Sequence, residues 1–255
     1  MPADSSDESA RMPMRGLLFD LDDTLITTRS AMMTGVVKAV RTLWPQTTPT
    51  RAAAAAHRFR EDPSGLFVAF TRGHMSFEQM RAERVADLAD FLHARLPSEP
   101  DRAWAAAYDE HFFAGLAPFG DVAEALTTAH AHGLALGVLT NGSGRYTQEK
   151  LAAAGLTGTF EVVITRDTLG VGKPAPEVFH HACRRIGVTP GECAYIGDEF
   201  TVDPVGAQDA GLSGLWLRRQ GDPATSNDLQ AARARGIPTP SSLVEALALV
   251  VAAAA

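Results

Sequence analysis

Short apolar runs alternate with helix-periodic stretches along most of this chain, and one long block interrupts the alternation. The run Leu17-Leu18-Phe19-Asp20-Leu21-Asp22-Asp23-Thr24-Leu25 begins as a buried strand and ends in acids. Further candidate strands lie at 134–139, 161–164, 194–196 and 214–217, with helical spacing near 121–132, 145–154, 175–187 and 203–210. Gly133, Gly155, Gly187 and Gly211 stand where those helices should stop, as a left-handed cap requires. Strand–helix alternation of this kind predicts an α/β fold: a doubly wound parallel sheet with helices on both faces.

Residues 28–115 read differently. Strand signals are nearly absent, and alanine and arginine are frequent. Phe77, Met80, Val85, Leu88, Leu92 and Leu96 keep helical spacing. Pro45, Pro49, Pro63, Pro97 and Pro100 divide the block into about four helices. A helical block after the first strand predicts an inserted α-helical cap domain at 28–115, with a core domain built from 15–27 and 116–255. The polar, acidic stretch 1–14 lacks the basic-then-apolar order of a signal peptide and is expected to be a disordered leader.

Composition narrows the function. Of the 255 residues 45% are hydrophobic and 21% charged, which suits a soluble globular protein. A net charge of −7 argues against nucleic-acid or anionic-membrane binding. No apolar window approaches the length of a membrane span. Cys183 and Cys193 fit neither a CxxC motif nor a disulfide framework and read as buried, reduced thiols of a cytoplasmic protein. Oligomeric state has no signature here.

The candidate chemistry gathers at strand ends. Asp20 and Asp22, at i and i+2, share a strand face and converge at its carboxyl end, where open α/β sheets place their ligands. At ~4 Å and an effective dielectric near ~20 two such charges repel by about 4 kcal/mol. A cation, or a proton retained on one of them, relieves that cost, and both conditions suit phosphoryl chemistry. Thr140, Asn141 and Gly142 offer neutral donors at a strand–helix junction, a phosphate cradle that is also ordinary turn chemistry. Lys173, in Gly170-Val171-Gly172-Lys173-Pro174, fails the nucleotide P-loop pattern but can offset the charge of carboxylates and phosphate. Asp198 ends another strand and can join Asp20 around Mg²⁺, a hard cation that prefers oxygen ligands. Asp203 can hold metal-bound water, orient Lys173 or cap the next helix.

In order, Asp-x-Asp-x-Thr, Thr-Asn-Gly, Lys-Pro and Gly-Asp-x4-Asp resemble the haloacid dehalogenase-like superfamily across residues 15 to about 218. The resemblance implies a Rossmann-like core and a helical cap of that superfamily's first type. Thr140-Asn141-Gly142 with Gln148, Lys150, Leu151, Gly155 and Leu156 is similar to the branch of pyrimidine nucleotidases and N-acylneuraminate phosphatases. The implied activity is Mg²⁺-dependent hydrolysis of a small phosphorylated metabolite through an aspartyl-phosphate. By that resemblance Asp20 is the nucleophile and Asp22 the general acid/base. Mg²⁺ is held by Asp20, Asp198 and the backbone carbonyl of Asp22. Thr140, Asn141, Gly142 and Lys173 bind the phosphoryl group, while Thr24 and Asp203 support the site. Val202 stands where many relatives carry asparagine before the second acid of the last motif.

Other readings of the same residues are a 2-haloacid dehalogenase, a phosphomutase and a non-catalytic phosphometabolite-binding protein. A halide departs without a proton, so Asp22 favours an oxygen leaving group. A response-regulator receiver would lack the 28–115 insert. Arg29 and Arg145 are further candidates for substrate contact, and His57, Arg58, Arg60, Arg72 and His74 are weaker ones in the cap. His130/His132 and His180/His181 match no metal-ligand spacing.

Overall fold

The computed structural model describes residues 13–220 and 225–252. All but the last two residues of the expected leader lie outside them. Five strands form one parallel sheet: β1 (Gly16–Phe19), β2 (Ala135–Leu139), β3 (Val162–Ile164), β4 (Cys193–Gly197) and β5 (Ser213–Trp216). Their order is β3-β2-β1-β4-β5. Connections run outward from β1 to β2 and β3, then cross back to β4 and β5. The direction therefore reverses between β1 and β4, the crevice in which such sheets bind ligands. Each expected strand is present within one residue of its reading, and the doubly wound parallel sheet is the fold.

Alternation along β1 divides the core. Leu17 and Phe19 join one apolar cluster with α6 (Val122–Ala131), α7 (Gly144–Ala153) and α12 (Leu243–Ala252). Leu18 joins the opposite cluster with α9 (Pro176–Arg185) and α10 (Pro204–Asp209). Two short helices, α8 (Arg166–Leu169) and α11 (Ser226–Ala234), complete this part of the chain. Gly133, Gly155, Gly187 and Gly211 all adopt positive φ at the helix ends where the sequence places stops.

Between β1 and α6 the insert contains five helices rather than four: α1 (Thr28–Leu43), α2 (Pro49–Glu61), α3 (Leu66–Thr71), α4 (Phe77–Leu92) and α5 (Pro100–Ala114). The additional one is α3, a six-residue turn too short to show a period. Leu96, expected on α4, lies beyond its end and is exposed. Helix α1 packs on α2 and α5, and α4 packs on α2, α3 and α5. The two chain crossings run side by side: Thr27 N–H donates to Ala117 O (2.9 Å) and Phe119 N–H to Leu25 O (3.0 Å). On its far side the insert touches the α/β part again, where Gly172 N–H donates to Thr71 O (2.9 Å) and Arg166 Nε to Phe70 O (2.8 Å).

Gly35 explains the close approach of α1 and α5. A Cβ there would lie 2.8 Å from the Tyr108 ring. A glycine inside a helix costs about 1 kcal/mol relative to alanine, which the tight helix contact offsets. Gly35→Val is expected to push α1 from α5 and to lower stability by about 1–3 kcal/mol. Chemical denaturation should show it as a lower midpoint with an unchanged m-value.

Candidate active site

Strand β1 delivers Asp20 to the crevice, and β4 delivers Asp198 beside it. Lys173, on the segment before α9, reaches in from the opposite face. Its ammonium donates to Asp20 Oδ1 (2.6 Å), Asp203 Oδ1 (2.7 Å) and the Tyr195 hydroxyl (2.6 Å). The lysine, Asp20 and Asp203 are all buried. Three partners for three ammonium protons leave it fully satisfied. Burial opposes its charge, yet Asp20 and Asp203 outweigh that and hold its pKa above the ordinary lysine value. Asp203 was open to three roles in the sequence; its position favours orienting Lys173. Its other oxygen accepts the Glu199 N–H (2.9 Å). Gly197 permits this, since a Cβ there would fall 2.4 Å from the Asp203 carboxylate.

Asp20, Asp198 and Asp203 each bring a carboxylate oxygen within 4.8 Å of the other two. Burial pushes the Asp20 carboxyl up to about 8, against the pull of Lys173. Burial, then Asp20 and Asp203, push Asp198 well above the usual carboxylate range. An all-oxygen donor set with this excess of negative charge fits a hard divalent cation. Thr24 donates to Asp198 Oδ1 (3.4 Å), and an Arg29 guanidinium nitrogen lies 3.6 Å from Asp198 Oδ2. Arg29 also pairs with Asp23 (3.6 Å) and lines the cavity.

Asp22 is half-buried and has partners of its own. Its carboxylate accepts two bonds from Lys150 Nζ (2.7 and 2.8 Å) and one from the Thr28 hydroxyl (2.5 Å). Lys150 comes from α7 in the α/β part, and Thr28 from the first turn of α1 in the insert. Sequence reading missed both as site residues. The available signal was a lysine on the apolar i, i+3/i+4 face of α7, beside Thr147, Leu151 and Ala154. Tyr195 was missed too; it is the one hydroxyl in an otherwise apolar strand.

The neutral donors divide their work. Thr140 is buried and accepts the Gly142 N–H (3.2 Å). Asn141, a candidate phosphate ligand, lines the cavity while its carboxamide grips the backbone of Lys173. Its Oδ1 accepts the Lys173 N–H (2.6 Å) and its Nδ2 donates to the Lys173 carbonyl (3.0 Å). Gly172 makes room, because a Cβ there would be 2.2 Å from Asn141 Oδ1. Arg145 does not reach the site: it is exposed and paired with Glu149 (2.8 Å). Arg58 is spent on Asp87 (2.7 Å), while His57, Arg72 and His74 lie on the surface. Of the weaker cap candidates, Arg60 lines the cavity.

That cavity, of about 590 Å³, lies between the sheet edge and the insert. Asp20, Asp22, Thr140, Asn141, Gly142, Lys173, Asp198 and Asp203 all face it, so one space collects residues drawn from four stretches of chain.

Comparison with known proteins is consistent with this geometry. Residues 14–211 match the family model of haloacid dehalogenase-like hydrolases. The chain is 34% identical to phosphoserine phosphatase of Thermus thermophilus over 246 residues, 88% of this chain and 98% of that protein. It is 36% identical to glyceraldehyde 3-phosphate phosphatase of Methanopyrus kandleri over 134 residues, 51% of this chain but only 58% of that protein. Among solved structures, an L-2-haloacid dehalogenase superposes with a TM-score of 0.72 at 23% identity, covering 94% of this chain and 99% of that one. At that identity the likeness speaks for fold alone.

The raised acids give a pH dependence. A folded-state pKa raised above the unfolded value favours the protonated native state, so this contribution is lost as pH rises from about 4 through about 8. A cation competes with those protons. Stabilisation by Mg²⁺ is therefore expected to grow between about pH 6 and about pH 8. Thermal unfolding with and without Mg²⁺ across that range measures it.

Proposed function

Since the chain belongs to the haloacid dehalogenase-like hydrolase family, we propose that it hydrolyses the phosphomonoester of a small metabolite, with Asp20 as nucleophile and Asp22 as general acid/base. The observation that carries this is the division of labour between two carboxylates on one strand end. Asp20 is buried against Lys173, whereas Asp22 is held apart by Lys150 and Thr28.

Only one Asp20 oxygen is bound by Lys173, which leaves Oδ2 to attack phosphorus and form an aspartyl-phosphate. Lys173 then lies where it can neutralise a phosphoryl oxygen. The Thr140 hydroxyl and the backbone N–H groups around Gly142 supply neutral donors beside it. Asp22 gives its proton to the departing alkoxide oxygen and afterwards takes a proton from the water that cleaves the acyl phosphate. Lys150 and Thr28 fix the direction of the Asp22 carboxylate through both half-reactions. Asp20 and Asp198, with the Asp22 carbonyl and Asp203 nearby, are the residues that would hold Mg²⁺. The ion would offset the charge of the carboxylates and phosphoryl oxygens. Electrostatic positioning of this kind is the main source of phosphoryl-transfer catalysis.

Helices α1–α5 act in this reading as the cap, with residues 28–115 roofing a core of 15–27 and 116–255. Their contacts at Thr71 and Phe70 close the cavity over Asp20 and keep bulk water from the intermediate.

Phosphate release with Mg²⁺ across sugar phosphates, nucleoside monophosphates and phosphoglycolate tests the proposal. Asp20→Asn is expected to abolish turnover with the fold intact by circular dichroism; near-wild-type activity would overturn the mechanism. Asp22→Asn should lose about 10²–10⁴-fold on alkyl phosphates. It should lose far less on p-nitrophenyl phosphate, whose leaving group needs no proton.

A further inference from the structure

The cavity is far larger than a phosphoryl group requires. Such a group displaces only a few waters of about 30 Å³ each, against about 590 Å³ available. The remainder is walled by the insert together with α7, and that wall has a definite chemistry. Phe59, Trp104, Tyr108, Phe112 and Tyr146 stack face to face, with centroid separations of 5.2, 5.4, 5.1 and 5.6 Å and interplanar angles between 12° and 21°. Met32 and Met80 extend the apolar surface.

Most cations of this wall are engaged; Arg29 pairs with Asp23 and Asp198, and the exception is exposed Arg60, which also lines the cavity. Arg81 pairs with Asp101 (2.5 Å) and Asp109 (3.7 Å). Arg84 donates to the Phe59 carbonyl and lies 3.7 Å from Asp62. Lys150 is held by Asp22. Asp23, Asp62 and Glu199 face the same space. Apart from exposed Arg60, a second anion on the substrate would thus meet satisfied arginines and several carboxylates. A cationic group is disfavoured for another reason. The ring faces that would receive it already carry guanidinium groups, Arg84 at 3.6 Å from the Phe59 centroid and Arg81 at 5.2 Å from that of Phe77. One wall group lacks a partner: the indole N–H of fully buried Trp104.

Building on the phosphatase reading, we infer that this wall is the leaving-group subsite and selects an uncharged, largely apolar moiety. Apolar contact then provides the selectivity, and charge exclusion removes carboxylated and cationic phosphoesters.

Benzyl phosphate, phosphoglycolate, phosphocholine and acetyl phosphate separate the possibilities when kcat/KM is measured with Mg²⁺ on the wild-type protein. Benzyl phosphate carries an ordinary alkyl leaving group, so its advantage reports the wall rather than leaving-group acidity. We expect it to exceed phosphoglycolate and phosphocholine by at least about 10-fold, the discrimination a small apolar difference achieves in a hydrophobic pocket. Met32→Lys, which adds an ammonium to the wall, should shrink or invert the benzyl-to-glycolate ratio. Turnover of acetyl phosphate together with equal or better use of phosphoglycolate or phosphocholine would overturn the wall assignment and leave the phosphatase reading standing. An unchanged ratio in folded Met32→Lys would also overturn it. Silence on all four substrates, acetyl phosphate included, would overturn both.

Discussion

A single buried ammonium group organises this protein. Lys173 sits where β1 and β4 diverge, with Asp20, Asp203 and Tyr195 around it. Acids this close repel strongly in a poorly polarisable interior, and an unpaired carboxylate there costs several kcal/mol. The lysine removes most of that cost, and much of the local backbone exists to place it. Asn141 fixes its main chain from the end of β2, Gly172 lets that amide approach, and Gly197 leaves room for Asp203. The Tyr195 hydroxyl in turn donates a hydrogen bond to the Leu139 carbonyl, tying the ammonium to β2 on the far side of β1.

What the lysine leaves uncompensated is as informative. Asp20 and Asp198 retain raised pKa values because burial and mutual repulsion exceed the local positive charge. That imbalance suits a site completed by a divalent cation and an anionic substrate group together, each neutralising what the other would otherwise repel. Asp22 pairs instead with Lys150 and Thr28, so neighbouring carboxylates on one strand end have different partners. Separation of environments is the means by which paired carboxylates take different roles.

The insert adds a different kind of constraint. Its aromatic stack is continuous with the apolar cluster beneath the sheet, so the cavity wall and the core share packing. Thr28 bonds Asp22 and Tyr146 donates to Asp109 (2.9 Å), coupling the insert to the α/β part on both sides of the cavity. Displacing the insert therefore disturbs the clamp on Asp22 as well as the cavity wall.

Sequence alone determined the sheet, its order of motifs and the acids at its edge. Those features depend on local rules: period-2 burial, glycine stops and the alternation of side chains at i and i+2. Spacing brought Asp20, Asp22, Asp198 and Lys173 into view because strand ends of a parallel sheet must share one edge. The tertiary structure decided which groups pair. That Lys150 reaches Asp22 across 128 residues, that Asn141 serves the lysine backbone, and that Arg145 turns to solvent all follow from helix rotation and side-chain direction. The insert wall was invisible for the same reason. Five aromatic rings from α2, α5 and α7 become one surface only when the helices pack, and no period along the chain encodes which faces meet.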